Sequence, residues 1–131
     1  MRSEAFLAVR NRSSVTRVPL ERILYVQRER RKLLVVCGEE RFEYYETIDN
    51  VAPLFGKEFY RVNDGCFVNL DLIDKVKGET VLFRGGEKLM LSRDAAIKCK
   101  QVFYVYLKTG EQFANNNNSL DNSAPDKYNL D

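Results

Sequence analysis

The chain has 131 residues, of which 44% are hydrophobic and 31% charged, a composition typical of one globular domain with a modest core. No apolar run is long enough to span a membrane and the N-terminus lacks the apolar segment of a signal peptide, so we expect a cytoplasmic protein. Residues 1–113 hold 20 Lys and Arg against 16 Asp and Glu, whereas residues 114–131 hold 1 against 3. The first part is therefore mildly basic, which is compatible with a nucleic-acid partner without establishing one.

The residues that carry most enzyme chemistry are scarce. The chain has no histidine, the commonest general base and metal ligand. Its three cysteines, Cys37, Cys66 and Cys99, lack the spacing of a zinc site or a disulfide framework, and we expect them to be small core residues. Gly85 and Gly86 precede a predicted strand and not a helix, so they do not form a phosphate-binding loop. We therefore expect neither an enzyme nor a metal or cofactor site.

The first third of the chain predicts β-strands. Phe6–Arg10 and Val15–Pro19 flank a turn-forming cluster at residues 11–14 and should form a first hairpin. Three further extended runs, at residues 23–27, 33–37 and 41–45, follow one another closely. The charged stretch at residues 28–32 is the predicted loop between the first two of them. The pattern indicates a meander of three consecutive strands.

The middle of the chain contains the strongest hairpin signal. Asn63, Asp64 and Gly65 lie between residues 59–62 and Cys66–Asn69, two runs rich in aromatic and β-branched residues. Asp-Gly between such runs is typical of a tight β-hairpin. Further strands are predicted at residues 73–76, 80–83 and 88–91, separated by glycine-containing turns.

Two helices are predicted. Thr47 should cap a helix at residues 48–54 that is short or bent, because Pro53 removes a backbone donor. Ser92 should cap a second helix that begins at Arg93. The apolar run at residues 102–107 could complete this helix, form a last strand or present a surface to a partner; we expect helix to about Leu107. Residues 114–131 are rich in asparagine and predict a flexible tail.

Three segments offer the side chains that bind nucleic acids. They are the charged run at residues 28–32, the turn at Asn63 and Asp64, and the helix start at Arg93. Each has a simpler explanation as a solvated turn, as turn chemistry or as a helix cap. Together they supply Arg, Lys and Asn, the residue types that bond to guanine, adenine and phosphate.

Residues 6–102 resemble the LytTR family of bacterial DNA-binding domains in three motifs that occur in order. These are Pro-Leu-Glu-Arg-Ile-Leu-Tyr-Val at residues 19–26, Phe-Tyr-Arg-Val at residues 59–62 with Val-Asn-Leu at 68–70, and Leu-Ser-Arg at residues 91–93. The resemblance implies a mainly β fold, an elongated stack of small antiparallel sheets with short helices, over residues 1–113. It also implies a transcription regulator that binds direct repeats in promoter DNA, usually as two copies, through loops that enter successive major grooves.

The resemblance also assigns residues to DNA contacts. It places base-reading sites on the loop that holds Arg30, Arg31 and Lys32, on Asn63 and Asp64, and on Arg93. Arg93 could make a bidentate contact with guanine, and Asn63 could bond to adenine or phosphate. Asp64 departs from the family pattern, since many members have a basic or amide residue there. Its carboxylate either accepts from a base donor such as cytosine N4 or serves only the turn.

The chain also departs from most of the family in how it would be regulated. Most LytTR domains follow a receiver domain, whereas this chain starts with the DNA-binding strands and resembles a stand-alone regulator or an excised C-terminal half. Control would then come from expression level, self-association or a regulatory partner protein, such as a membrane-bound inhibitor. The alternative function is a protein-interaction module that keeps the fold without binding DNA, for which Asp64 and the run at residues 102–107 are the supporting features.

Overall fold

The computed structural model describes residues 5–112, so the predicted tail at residues 114–131 lies outside the described part. Within that part the chain forms three antiparallel sheets, of two, five and three strands, with two helices. This architecture confirms the predicted mainly β stack of small antiparallel sheets. No helix in residues 5–112 is long and apolar enough to cross a membrane.

The strands are β1 (Phe6–Arg10), β2 (Val15–Pro19), β3 (Tyr25–Glu29), β4 (Lys32–Cys37), β5 (Glu40–Tyr45), β6 (Phe59–Asn63), β7 (Cys66–Asn69), β8 (Ile73–Lys77), β9 (Thr80–Phe83) and β10 (Lys88–Met90). The helices are α1 (Ile48–Val51) and α2 (Arg93–Thr109). Short 3₁₀ turns occupy Leu20–Arg22, Ala52–Leu54, Leu70–Leu72 and Arg84–Gly86.

The five-stranded sheet lies at the centre, in the order β5-β4-β3-β7-β6. The predicted meander supplies β3, β4 and β5, and the predicted Asp-Gly hairpin supplies β6 and β7. The hairpin joins the meander through β7, which pairs with β3 at Tyr25 opposite Val68. Strands from residues 25–29 and 66–69 thus become neighbours.

The central sheet is buried on both faces. Val35 on one face packs into a cluster with the β1–β2 hairpin and α1, whereas the adjacent Val36 on the other face packs with the three-stranded sheet and α2. Because both faces need apolar side chains, β4 is an almost continuous apolar run and does not alternate with polar residues. The two clusters hold the three sheets in one stack.

The second helix begins at Arg93, as predicted, and ends at Thr109, two residues beyond the predicted Leu107. Ser92 Oγ accepts a hydrogen bond from Ala95 N at 3.2 Å, and Gly110, with φ of 78°, ends the helix in the left-handed conformation. The run at residues 102–107 is therefore helical and not a strand. Val102 and Phe103 enter the core, whereas Tyr104 and Leu107 are exposed.

The first helix is short, as predicted. Thr47 Oγ1 accepts from Asn50 N at 3.2 Å and caps α1, which gives way after Val51 to the 3₁₀ turn that contains Pro53. The proline cannot donate a backbone hydrogen bond, so the α-helical pattern does not continue through it.

The predicted loop at residues 28–32 is wrong in its extent. The prediction ended the strand at residue 27, but β3 starts at Tyr25 and continues through Glu29, which pairs with Lys32 in β4. Only Arg30 and Arg31 form the turn. Charged residues do not end a strand when their side chains can extend into solvent, as those of Arg28 and Glu29 do here.

Two of the three cysteines are core residues, as predicted. Cys66 and Cys99 are buried, and burial raises the pKa of each thiol to about 12. Cys37 is only half-buried, at the end of β4, and burial raises the pKa of its thiol to about 11. All three thiols therefore stay protonated, and weakly nucleophilic, at neutral pH.

Candidate nucleic-acid interface

Two of the predicted site segments lie side by side. Gln27 in β3 pairs with Cys66 in β7, and Arg28 N donates to Gly65 O at 2.7 Å. The β3–β4 turn and the β6–β7 turn therefore project from the same end of the central sheet, where these strands meet their turns. We call this end, with the turns Arg30–Arg31 and Asp64–Gly65, the loop end.

The β3–β4 turn presents its cations to solvent. Arg30 and Arg31 are exposed, and Arg30 has a positive φ of 64°. Lys32, which the sequence placed in the same loop, belongs to β4 and holds its Nζ atom 5.0 Å from the centre of the Tyr45 ring. A shallow depression lined by Glu29, Arg30, Arg31, Lys32, Glu43 and Tyr45 lies beside the turn.

The β6–β7 turn is closed by Asn63. Its Oδ1 atom accepts from Gly65 N at 2.9 Å, while its Nδ2 group has no hydrogen-bond partner among the described residues. The Asp64 carboxylate is exposed and makes no hydrogen bond or ion pair with residues 5–112. The turn therefore takes its side-chain hydrogen bond from Asn63, and Asp64 is not needed for it.

Arg61 fastens this turn to the rest of the loop end. One of its Nη atoms donates to Asp64 O at 2.7 Å and to Asp49 Oδ1, in the first turn of α1, at 3.0 Å. The guanidinium also lies 5.2 Å from the centre of the Phe67 ring. The exposed hairpin is thus bound to β3 at its tip, through Gly65, and to α1 through Arg61.

Arg93 is the first residue of α2 and is exposed. The far end of α2 is bound to the start of β6, because Gln112 Nε2 donates to Lys57 O and Phe59 O at 2.7 Å each. Nearer its start, α2 packs through Cys99 into the cluster that contains Cys66, beside the β6–β7 turn. Because Cys99 lies near Cys66 and Gln112 lies near Phe59, the helix runs antiparallel to β6, and Arg93 is at the end of the helix nearer the loop end.

The cations of these segments have no acidic partners within residues 5–112. Ion pairs there engage Arg22, Arg41, Lys57, Arg61 and Arg84. Arg30, Arg31 and Arg93 make none. Guanidinium groups without acidic partners are well suited to bind anions and base edges.

Sequence reasoning missed Arg61 and Tyr45, and it included Arg28 only as part of the charged run at residues 28–32, without its contact to the second hairpin. Arg28 packs against the tip of the neighbouring hairpin, since a Cβ atom on Gly65 would lie 3.4 Å from Arg28 Cβ. Arg61 bridges two elements, and the ring of Tyr45 is 72% exposed beside Lys32. In the sequence, only the alternation of inward and outward residues along β5 and β6 indicates that Arg61 and Tyr45 are exposed. Their contacts depend on how the strands pair.

Comparison with known proteins addresses the fold and the family of the chain. The family model for the LytTr DNA-binding domain matches residues 13–108. One similar solved structure is the LytTr DNA-binding domain of a Bacillus cereus protein described as a methyl-accepting/DNA response regulator. It is 17% identical in sequence with a TM-score of 0.62, and the match covers 76% of this chain and 96% of that one.

No curated protein is significantly similar to the chain. The structural likeness bears on the fold, whereas the family model covers most of the sequence and includes all six predicted site residues. The chain belongs to the LytTR family of DNA-binding domains.

Proposed function

We propose that this protein is a transcription regulator that acts in the cytoplasm and reads promoter DNA with its loop end and the start of α2. One observation carries the proposal. Cations and an amide from three separate parts of the sequence, Arg30–Arg31, Asn63 and Arg93, are exposed at or toward one end of the fold without acidic partners among residues 5–112. That arrangement fits a ligand that presents phosphates and base edges together.

Each side chain has a role that fits its chemistry. The guanidinium groups of Arg93, Arg30 and Arg31 can donate two hydrogen bonds to O6 and N7 of guanine in the major groove. Asn63 has its Nδ2 group available to an adenine or a phosphate. Lys32, beside the ring of Tyr45, would bind phosphate as a point charge.

Asp64 is proposed to contact a base. Its side chain takes no part in closing the turn, so turn chemistry does not explain the carboxylate. A carboxylate repels phosphate and accepts from cytosine N4 among the major-groove groups. We therefore propose that Asp64 selects cytosine in the groove that receives the β6–β7 turn.

Affinity on the natural site would come from two copies on adjacent direct repeats. When two copies contact each other on DNA, the second binds at a raised effective concentration, without any new base contact. The spacing of the repeats then matters, because both copies must lie on the same face of the helix.

The proposal is tested by enriching duplexes from a randomised library with the full chain. Fluorescence anisotropy then compares an enriched duplex with a scrambled one at low and near-physiological salt. We expect a repeated sequence element to emerge and the preference to survive the higher salt, because base contacts add to counterion release. Equal binding that vanishes with salt would contradict sequence reading.

The two-copy arrangement needs its own test. Inserting about five base pairs between the repeats turns the second site by half a helical turn, whereas about ten base pairs restores the face. We expect the shorter insertion to weaken binding more than the longer one. Equal affinity for both would mean that the copies bind independently.

A protein-interaction module is the second candidate, and one observation favours it. Ile97, Tyr104 and Leu107 are 45%, 50% and 65% exposed on α2. Exposed apolar side chains on one helix are typical of a contact surface for another protein. Absence of DNA binding at either salt would favour this function over DNA reading.

A further inference from the structure

The outer face of the three-stranded sheet carries three lysines. Lys75 and Lys77 lie on β8 and Lys88 on β10, on the two sides of the middle strand β9. Leu82 in β9 is opposite both Lys75 and Lys88, and Lys77 is opposite Thr80. The three lysines line a shallow depression together with Thr80 and Leu82, and we call them the lysine platform.

The platform is basic because two of the acidic residues of this sheet are bound elsewhere, although Glu79 in the β8–β9 turn is exposed and makes no ion pair among residues 5–112. Asp74 pairs with Arg84 at 3.8 Å, and Glu87 pairs with Arg41 of the central sheet at 2.6 Å. Within residues 5–112 the three platform lysines make no ion pair. Three like charges gathered on one small sheet repel one another, so the surface favours an anionic ligand.

The strands fix these side chains on the outside. Val81 and Leu89 occupy inward positions and are buried in the cluster shared with α2 and the central sheet. Because successive side chains of a strand point to opposite faces, burial of these residues directs Thr80, Leu82 and Lys88 outward. The lysine platform is therefore held by the core beneath it.

The platform borders the start of α2. Met90 in β10 is opposite Thr80, which is itself opposite Lys77, and Leu91 N donates to Glu79 O at 2.8 Å. Neighbouring strands are about 4.8 Å apart, so Lys77 lies roughly 10 Å across the sheet from Met90. Arg93 follows Met90 by three residues. A DNA groove that received Arg93 would bring its flanking phosphates to the platform.

We propose that the lysine platform binds the phosphate backbone of the DNA that flanks the base pairs contacted by Arg93. This inference rests on the proposed function. Ammonium groups on flexible stems bind phosphate as point charges without regard to sequence, so the platform supplies affinity and orientation, while Arg93 supplies selection. Its position beside Arg93 favours DNA over an acidic protein as the partner.

The test compares two charge-matched variants of the full chain. The platform variant is Lys75→Gln, Lys77→Gln and Lys88→Gln. The control variant is Arg22→Gln, Lys57→Gln and Lys108→Gln, three exposed cations away from the platform that contact Glu40, Glu111 and the ring of Tyr104. Anisotropy gives the Kd of each on an enriched duplex, on a scrambled one and on duplexes shortened from either end, over a range of salt.

The platform variant should bind enriched and scrambled duplexes more weakly by the same factor, roughly ten- to a hundredfold near physiological salt. The slope of log Kd against log salt should fall by up to about 2.7, at ~0.9 per lost phosphate contact. Shortening one flank should weaken the wild-type chain and leave the platform variant unaffected. The control variant should behave as the wild type does.

Unchanged Kd and salt slope in the platform variant would overturn the inference and would leave an acidic protein as the fitting partner. A loss confined to the enriched duplex would also overturn it, since that result means base reading. Equal binding of both duplexes by the wild-type chain would defeat the proposed function instead, and the platform would still be visible in the slope. No DNA binding by the wild-type chain would overturn both.

Discussion

Arg30 has a backbone conformation that disfavours its own side chain. Its φ of 64° is the only positive value at a non-glycine residue within residues 5–112. The left-handed conformation costs an L-residue about 1–2 kcal/mol, a cost that glycine avoids. An arginine in this position therefore fits a role for its guanidinium in binding, since strained residues gather at functional sites.

Replacing Arg30 by glycine should separate folding from binding. We expect Arg30→Gly to leave the free energy of unfolding unchanged or to raise it by up to about 1 kcal/mol, because relief of strain offsets the added freedom of the unfolded chain. The Kd on the enriched duplex should rise by roughly 5- to 150-fold if Arg30 contacts a base. Urea unfolding and fluorescence anisotropy measure the two effects.

Arg31 provides the matched control, because it is the neighbouring turn residue and has no positive φ. Arg31→Gly should lower the free energy of unfolding by about 0.5–1 kcal/mol. If Arg30→Gly destabilised the protein as much as Arg31→Gly, or if it bound DNA with wild-type affinity, strain and function would not be linked at Arg30.

At the scale of elements, Asn69 joins β7 to the segment that leads into β3. It is the one buried polar side chain among the described residues, at 1% exposure. Its Nδ2 group donates to Ile23 O at 2.9 Å, and its Oδ1 atom accepts from Asp71 N at 3.0 Å. Asn69 thus fixes where β3 begins and, through β3, where the β3–β4 turn projects.

Asn69→Leu should lower the free energy of unfolding by about 2–4 kcal/mol, because it leaves the Ile23 carbonyl buried without its donor. Asn50→Leu is the control, since Asn50 is exposed and should change stability by about 0.5 kcal/mol or less. Urea unfolding measures both. Similar losses of unfolding free energy in the two variants would show that the buried hydrogen bonds of Asn69 do not stabilise the fold more than an exposed asparagine does.

The elements themselves were largely predictable, whereas their contacts were not. Asp64-Gly65 predicts a turn and Ser92 predicts a helix start, because each meets a local backbone requirement. The sequence does not show the full extent of β3, because its exposed end carries charged side chains that are equally typical of a loop. The contact of Arg28 with Gly65 depends on pairing between β3 and β7, which no local pattern encodes.

At the scale of the whole molecule, the candidate interface rests on a stack whose layers are tied together. Arg41 Nη2 lies 2.6 Å from Glu87 Oε2, and the Tyr25 hydroxyl donates to the same oxygen at 3.4 Å, which links the central and three-stranded sheets. The rings of Tyr25 and Phe83 stack across the same boundary at 5.6 Å. The loop end and Arg93 are therefore held in fixed relation.

The buried thiols predict a loss of stability at alkaline pH. Burial raises the pKa of Cys66 and of Cys99 from 9.0 to about 12, and the charge of Cys99 adds to the effect at Cys66. The folded-state pKa exceeds the unfolded one, so the protonated thiols contribute fully to the free energy of unfolding below about pH 9. This contribution is lost as the pH rises toward about 12. Each thiol should lower the free energy of unfolding by about 1.4 kcal/mol per pH unit in that window.

Urea unfolding under reducing conditions, from about pH 7 to about pH 10.5, measures this slope. The variant Cys66→Ala, Cys99→Ala should be less stable at neutral pH, because it leaves cavities, yet its stability should fall less steeply with pH. Identical slopes for the variant and the wild-type chain would assign the alkaline loss to other groups.

The central claim is that the loop end and Arg93 read base sequence, and the most direct measurement is a ratio of dissociation constants. The Kd on the scrambled duplex divided by the Kd on the enriched duplex should be about 10³ or more for the wild-type chain. It should fall strongly in the variant Arg30→Ala, Asn63→Ala, Arg93→Ala, and persist in Arg22→Ala, Lys57→Ala, Lys108→Ala, whose sites lie away from the three predicted contacts. A ratio unchanged in the first variant, with both constants weakened equally, would contradict the claim.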